Sequence, residues 1–225
     1  MRGLNPVAAP QEAPPDLEHL TAQEVLTYAV ERFHPSMKVA CSFQKSASVI
    51  MHMLLEIEPG TRFFTLDTGV LFPETYATWR ALEERFGIEV ETSQGLSLAR
   101  QAEIYGPALW DSDPDKCCEL RKVTPLRETL ASLDAWVSGV RRGDSNGRAG
   151  TEKLTWDRKH GLWKVNPLAD WSEDDVWEYL TLHDIPYHPL HDRGYASIGC
   201  THCTEPGTGR EGRWADRDKV ECGLH

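Results

Sequence analysis

Six cysteines are the residues of this chain whose spacing most clearly defines a chemical task. Two of them are adjacent, in "CC" at 117–118, and two more are separated by two residues, in "CTHC" at 200–203. Adjacent cysteines close a strained disulfide ring, so metal binding is the better interpretation of these two pairs. Four thiolates suit a cubane iron–sulfur cluster or a tetrahedral metal ion, and spacing alone leaves zinc open.

The other two cysteines have different surroundings. Cys41 lies in the apolar run "VACSF", which predicts a core position. Cys222 lies in the terminal "KVECGLH", where chain ends are usually exposed and a thiol without a task would oxidise. Cys222 is therefore either an incidental exposed thiol or a nucleophile carried into a site by a mobile segment.

Positive side chains accompany the cysteines, although the net charge of the chain is −11. That net charge disfavours non-specific binding to nucleic acid, but a local cluster of cations is enough for a small anion. Lys122 follows Cys118 by one helical turn, where it would offset thiolate charge. The candidate anion-binding residues are Lys122, Arg141, Arg142, Arg210 and Arg213, with Arg121 behind them.

The hydrophobic pattern predicts the elements that position these residues. Five apolar runs predict strands: "MKVACSF", "RFFTLDT", "IEVETS", "AWVSGV" and "LWKVNPL", the last near the sheet edge. Helical patterns alternate with them, and two begin at capping boxes, Thr21 with Glu24 and Ser172 with Asp175. This alternation predicts an α/β fold, in which helices cover both faces of a mostly parallel sheet of about five strands.

Three polar loops follow predicted strands: "SFQKSAS", "LDTGVLF" and "GVRRGDSNGR". Because ligands of open parallel sheets bind beyond the carboxyl ends of the strands, we expect these loops to converge on one crevice.

The ends of the chain predict its organisation. Residues 1–19 are rich in Pro and Ala, which predicts a flexible tail. We expect residues 20–209 to form a single α/β domain and residues 210–225 to form a mobile segment that carries Cys222. The first residues contain no apolar signal region and no apolar run is long enough to span a bilayer, so we expect a cytoplasmic protein with no membrane partner.

Several longer motifs resemble the phosphoadenylyl-sulfate (PAPS) reductase family, and within it the cluster-containing assimilatory adenosine 5′-phosphosulfate (APS) reductases. The matching stretches are "LDTGVLFPETY", "KCCELRKVTPL", "VSGVRRGDSNGRA", "KVNPLADWSEDDVWEYL", "IPYHPLHDRGYASIGCTHCTEPG", "GREGRWA" and "KVECGLH". The resemblance extends over residues 37 to 225. The combination of the two cysteine pairs with a terminal "ECGLH" is highly specific.

The resemblance implies an adenine-nucleotide α-hydrolase-like fold and reduction of APS to sulfite and AMP in sulfate assimilation and cysteine biosynthesis. It implies a [4Fe-4S] cluster on Cys117, Cys118, Cys200 and Cys203, the nucleophile Cys222, and reduced thioredoxin as electron donor. It leaves a homo-oligomer open. The expected substrate contacts are Ser42, Gln44, Ser46, Asp67, Thr68 and Gly69, together with Lys122, Arg141, Arg142, Arg210 and Arg213.

Three alternatives remain open at this point. A PAPS reductase or a dual APS/PAPS reductase would keep the chemistry and change the substrate. An ATP-dependent adenylating enzyme would share the fold, but it requires a Ser-Gly-Gly-x-Asp-Ser type of loop, and the first loop here is "SFQKSAS". A zinc-stapled binding module would explain the four paired cysteines but not Cys222.

Overall fold

The computed structural model of the protein describes residues 15–215, 217–219 and 221–224. Most of the flexible tail expected over residues 1–19 therefore lies outside the described residues. Its last part packs against the domain, because Leu17 is buried in the core and the Glu18 carboxylate accepts a hydrogen bond from the Lys153 backbone N–H. Within the described ranges, no helix is both long and apolar enough to cross a membrane.

A six-stranded sheet forms the centre of the molecule, in the order β3-β2-β1-β4-β6-β5. The strands are β1 (Met37–Ala40), β2 (Arg62–Asp67), β3 (Val90–Gln94), β4 (Ala135–Val137), β5 (Leu154–Asp157) and β6 (Leu162–Val165). Neighbouring strands are parallel except for β5 and β6, which form an antiparallel hairpin. The predicted mostly parallel sheet is confirmed, with one strand more than the five that were expected.

The additional strand, β5, gives a weak signal in the sequence. It is only four residues long, so its alternation of apolar and polar residues covers just two periods, and only its first residue, Leu154, is buried. The turn after it is specified by side-chain chemistry, because the Asp157 carboxylate accepts hydrogen bonds from the backbone N–H groups of Lys159 and His160. Gly161 completes the turn with φ of +74°, a conformation that favours glycine.

The described residues form eight α-helices, and both predicted capping boxes are present. The helices are α1 (Ala22–Phe33), α2 (Lys45–Ile57), α3 (Pro73–Phe86), α4 (Leu98–Tyr105), α5 (Leu109–Ser112), α6 (Pro114–Cys118), α7 (Thr124–Leu130) and α8 (Glu173–Leu182). A π-helical segment, Glu119–Val123, joins α6 to α7.

The sheet separates two hydrophobic cores, because successive side chains of a strand point to opposite faces. Phe63 of β2 packs in the larger core with α1, α2 and α8, and its neighbour Phe64 packs in the smaller core with α7. In β4, Val137 belongs to the larger core and Trp136 to the smaller one. Helices therefore cover both faces, as the sequence predicted.

The strand order places a switch point between β1 and β4. The chain proceeds outward from β1 through β2 to β3 on one side, and β4 begins the other side of the sheet. Connections leave these two neighbouring strands in opposite directions, which opens a crevice at their carboxyl ends.

Candidate active site

A cavity of about 550 Å³ lies at this switch point. It is lined by the loop after β1, the loop after β4, the segment 196–199, the segment 208–210, and single residues that include Lys122, Arg213 and Cys222. Small-molecule sites are typically concave spaces of roughly 300–1,000 Å³. The cavity therefore has the size and the position expected of a nucleotide site.

The loop after β1 lies along one wall of this cavity. Its Phe43 has φ of +56°, which is unusual for a bulky residue, and the buried ring stacks on Trp79 with centroids 5.1 Å apart. Gln44 accepts a hydrogen bond from the Ile198 backbone N–H at 2.8 Å, so its amide oxygen ties this loop to the second cysteine segment. Ser42 and Ser46 line the cavity where α2 begins without a side-chain cap, and uncapped helical N–H groups attract anions.

The loop after β2 does not present its polar residues to the cavity. Asp67 accepts hydrogen bonds from the Tyr76 hydroxyl at 2.7 Å and from the Gly69 backbone N–H at 2.9 Å. The Thr68 hydroxyl lies 3.4 Å from the Cys200 sulfur. The substrate contacts expected from Asp67, Thr68 and Gly69 are therefore not in the cavity, and this loop supports the cysteine pair instead.

The loop after β4 contains two adjacent arginines whose side chains lie in different places. Arg141 is buried, lines the cavity and donates a hydrogen bond to Glu173 at 2.6 Å. Arg142 faces away, donating to the Thr151 carbonyl at 2.8 Å and pairing with Glu18. The sequence prediction placed both arginines at the substrate, and of the two only Arg141 lines the cavity.

The sequence analysis missed Arg148, a third cation of the same loop. Its side chain lines the cavity and forms ion pairs with Asp144 at 3.2 Å and with Glu221 at 3.1 Å. The available signal was its place at the end of "VRRGDSNGR", in a loop already predicted to reach the crevice.

The four paired cysteines come together beside the main cavity, as predicted. Cys117 and Cys118 end α6, Cys200 and Cys203 flank a short 3-10 turn, and all four are free thiols around one small cavity. Burial and the nearby Cys200 raise the pKa of Cys117 to about 11, and burial raises the pKa of Cys118 to about 12. Binding to a metal centre would therefore have to displace these protons.

Two buried cations of the π-helical segment lie next to these thiols. Arg121 donates a hydrogen bond from Nη1 to the Thr68 carbonyl at 2.5 Å. In the described part of the chain its buried Nε and Nη2 have no hydrogen-bond partner, so they can donate to an anion. Lys122 lines both the small cavity and the main cavity, and it therefore links the cysteine cluster to the candidate active site.

Cys222 lies half-buried in the main cavity, where its charge is stabilised. Burial alone would raise the pKa of this thiol, but Lys122, Arg213 and the Leu224 backbone N–H together lower it below its usual value. Burial likewise opposes the charge of Lys122, but electrostatic interactions with the side chains of Cys200 and Cys222 outweigh that effect and raise the pKa of the ammonium. Gly223 has φ of +82°, a left-handed turn that favours glycine.

Arg213 is held against the backbone of the second cysteine segment. An alanine methyl at Gly199 would lie 2.3 Å from its Nη2, so only glycine leaves room for the guanidinium. Arg213 is buried, and its guanidinium lies 4.5 Å from the centroid of the Trp214 ring. Arg210, also at the cavity, forms an ion pair with Glu221 at 2.9 Å.

Most of the predicted site residues thus meet in one place. The structure brings together Ser42, Gln44, Ser46, Lys122, Arg141, Arg210, Arg213 and Cys222 around the cavity. It directs Asp67, Thr68, Gly69 and Arg142 elsewhere.

The fold is that of the adenine-nucleotide α-hydrolase-like proteins, and the chain belongs to the phosphoadenosine phosphosulfate reductase domain family, whose model matches residues 36–206. A relative named adenosine 5′-phosphosulfate reductase, from Salinibacter ruber (strain DSM 13855 / M31), is 50% identical over 207 residues. That match covers 89% of this chain and 82% of the relative.

Two solved structures share the architecture. The phosphoadenylyl-sulfate reductase of Candida auris, in a phosphate complex, has a TM-score of 0.75 and 29% identity, with 84% of this chain and 92% of that chain covered. The FMN adenylyltransferase of Candida glabrata has a TM-score of 0.60 and 16% identity, with 84% of this chain and 62% of that chain covered. At that identity the second likeness concerns the fold alone.

Proposed function

We propose that the protein is a thioredoxin-dependent adenylyl-sulfate reductase, which reduces APS to sulfite and AMP in the cytoplasm during sulfate assimilation and cysteine biosynthesis. The observation that carries the proposal is the position of Cys222, a thiol of lowered pKa in a nucleotide-sized cavity at the switch point of the sheet. The relative from Salinibacter ruber, which bears the name of an APS reductase, supports the choice of substrate.

In the first half-reaction, the Cys222 thiolate attacks the sulfur of APS. An S–S bond forms, the S–O bond to the phosphate breaks, and AMP leaves with the bonding electron pair. The enzyme then carries an S-sulfocysteine at Cys222. Because an anion approaches an anion, the site must supply positive charge and hold the two sulfur atoms in line.

Lys122 and Arg213 are the cations best placed for the sulfo group. Both line the cavity together with Cys222, and both lower the pKa of its thiol. Among the described residues neither has a carboxylate partner, whereas Arg141 pairs with Glu173 and Arg210 with Glu221. The charge of Lys122 and Arg213 therefore remains for the substrate, and the uncapped start of α2 offers N–H groups to its phosphate.

In the second half-reaction, a thiolate of reduced thioredoxin attacks the Cys222 sulfur. Sulfite leaves, and a mixed disulfide joins the two proteins. The second thioredoxin thiolate attacks the thioredoxin sulfur of that disulfide, which releases Cys222 as a thiolate and leaves oxidised thioredoxin. The dithiol thus supplies the two electrons that convert sulfate sulfur to sulfite sulfur.

We infer that Cys117, Cys118, Cys200 and Cys203 hold a [4Fe-4S] cluster. Three buried thiols, the half-buried thiol of Cys203 and the unpartnered donors of Arg121 fit an anionic thiolate-ligated group. Within the described ranges, no three His, Cys, Asp or Glu side chains are arranged to hold a single metal ion. A cubane is bound at separate irons, so its ligands need not meet at one point. When bound, the cluster supplies negative charge beside Lys122 and joins two distant chain segments.

Incubation of anaerobically purified enzyme with APS, without reductant, tests the nucleophile. Mass spectrometry should find one added sulfonate, on Cys222, and none on the other five cysteines. Cys222→Ser should lose both the adduct and sulfite release while retaining iron and sulfide. A sulfonate on another cysteine would overturn the assignment, and zinc in place of iron and sulfide would favour the zinc-stapled alternative.

A second assay, with thioredoxin as reductant, tests the alternative substrate. Sulfite release with thioredoxin should be measured with APS and PAPS in parallel. Sulfite from APS with little from PAPS supports the proposal, and comparable rates would make the enzyme a dual-specificity reductase. Sulfite from neither, with the cluster intact, would refute the proposed function.

A further inference from the structure

The carboxylate next to the nucleophile is bound by two arginines. Glu221 lies 3.1 Å from the Arg148 guanidinium and 2.9 Å from that of Arg210. Both arginines are mostly buried, with side-chain exposures of 14% and 15%, and Glu221 is 34% exposed. Charge-assisted hydrogen bonds of this kind are stronger than neutral ones, and partial burial protects them from screening.

The two arginines belong to different parts of the fold. Arg148 follows β4, at the fixed wall of the cavity, and Arg210 lies in the glycine-rich segment that approaches from the other side. Glu221 therefore joins the terminal segment to both walls, one residue away from Cys222. Among the described residues, Glu221 is the acidic residue next to Cys222, and it forms ion pairs with two arginines that line the cavity.

Other contacts also hold the terminal segment, among them the Lys159 ammonium, which donates a hydrogen bond to the Gly223 carbonyl from an exposed position. Arg217 donates to the Trp110 carbonyl at 2.8 Å and pairs with Asp111, which is largely exposed. Lys219 pairs with the exposed Asp115. Ion pairs at exposed positions contribute little, because water and salt screen them. Leu224 packs against the smaller core on the far side of Cys222.

We propose that Glu221 is a positioning residue, whose ion pairs with Arg148 and Arg210 hold the terminal segment closed so that the Cys222 thiol lies beside Lys122 and Arg213. The inference rests on the proposed function in one respect, namely that Cys222 accepts the sulfo group. The closed position of the terminal segment follows from the ion pairs of Glu221 with Arg148 and Arg210, without reference to the reaction.

Closure has opposite consequences for the two half-reactions. Attack on APS requires Cys222 inside the cavity, close to the two cations that stabilise its thiolate. Discharge requires that the S-sulfocysteine leave the cavity, because a protein the size of thioredoxin must reach a sulfur that is half-buried in the closed state. Loss of the Glu221 contacts therefore slows the first step without slowing the second.

The test compares Glu221→Gln with Asp218→Asn. Both changes remove one negative charge from the same segment, and Asp218 is exposed. The first readout needs no substrate: a bulky maleimide labels the cluster-loaded enzyme, and mass spectrometry follows the tryptic peptide 220–225, whose one thiol is Cys222. We expect Glu221→Gln to be labelled about tenfold faster than the wild type, and Asp218→Asn to match the wild type.

The second readout separates the half-reactions. Glu221→Gln should sulfonate Cys222 roughly tenfold more slowly with APS, and its preformed S-sulfocysteine should be discharged by thioredoxin at least as fast as in the wild type. Glu221→Asp should recover part of the sulfonation rate, because it keeps the charge. Arg148→Met should label faster as well, and the double variant should add little to either single change.

Three results would overturn the inference. Labelling of Glu221→Gln at the wild-type rate would show that its contacts do not hold the segment. Equal acceleration in Asp218→Asn would show an effect of charge alone. If Glu221→Gln slowed both the sulfonation of Cys222 and its discharge by thioredoxin, the substitution would have damaged the site in general. If wild-type enzyme is not sulfonated by APS, the proposed function fails, and the labelling rates still decide whether Glu221 closes the segment.

Discussion

Replacing Gly199 by alanine tests whether the position of Arg213 determines the rate of sulfonation. The new methyl group would lie 2.3 Å from Nη2 and 2.5 Å from Cζ of Arg213, whereas ordinary contacts are 3.4–4 Å. The guanidinium would therefore have to move by about 1 Å. It cannot swing into solvent easily, because Arg213 is 7% exposed and packs on the Trp214 ring.

The expected loss follows from that displacement. A misplacement of about 1 Å in a catalytic arrangement can cost about 100-fold in rate, which corresponds to about 2.7 kcal/mol of transition-state stabilisation. We therefore expect Gly199→Ala to reduce the first-order rate of Cys222 sulfonation by about 10- to 100-fold. The assay is single-turnover mass spectrometry with saturating APS, on enzyme whose iron and sulfide contents match the wild type.

Two comparisons isolate the cause. Gly150→Ala is the matched control, because an added methyl group there meets no atom within 4 Å, and its rate should equal that of the wild type. If Gly199→Ala acts through Arg213, it should cost little when introduced into Arg213→Ala. Independent, multiplicative losses in that double variant would refute the reasoning.

Two further predictions concern charge and stability. Lys122→Met removes a cation that lowers the pKa of Cys222, so that pKa should rise. Alkylation of Cys222 at neutral pH should therefore slow, and the midpoint of its pH dependence should move upward. An unchanged midpoint would contradict this prediction. Thr21→Ala removes the hydroxyl that accepts a hydrogen bond from the Glu24 backbone N–H, whereas the backbone N–H of residue 21 can still donate to the Glu24 carboxylate. The free energy of unfolding should fall by about 1 kcal/mol, and Tm by about 2–4 °C in thermal denaturation, with sulfonation unchanged. Unchanged stability would show that the side-chain cap contributes nothing.

Local signals predicted much of the fold. The capping boxes at Thr21 and Ser172 are formed by residues three apart, so the sequence specifies them directly. Strands β1, β2, β4 and β6 were found because parallel strands within a sheet are short apolar runs, and β3, an edge strand in which only Val90 is buried, was found from "IEVETS". Strand β5 was missed because it is held by its pairing with β6 and by a turn, and only Leu154 of its four residues is buried.

The sequence also determined which residues could do the chemistry. Two cysteine pairs and a terminal thiol define that chemistry by residue type, and the structure brings the pairs together beside a cavity that contains Cys222. The carboxyl ends of neighbouring parallel strands lie at one edge of a sheet, so the loops after β1 and β4 could be assigned to one crevice in advance.

Only the tertiary structure decided which side chains face the cavity. Arg141 has extended backbone, with φ of −121° and ψ of 152°, whereas Arg142 begins a 3-10 turn, so the two side chains leave the chain in different directions. Of the adjacent pair, Arg141 therefore enters the cavity, and Arg142 reaches Glu18, 124 residues away in the chain. The pairing of Arg148 with Glu221 spans 73 residues. Such contacts depend on how distant segments pack, and residue type and spacing do not specify that packing.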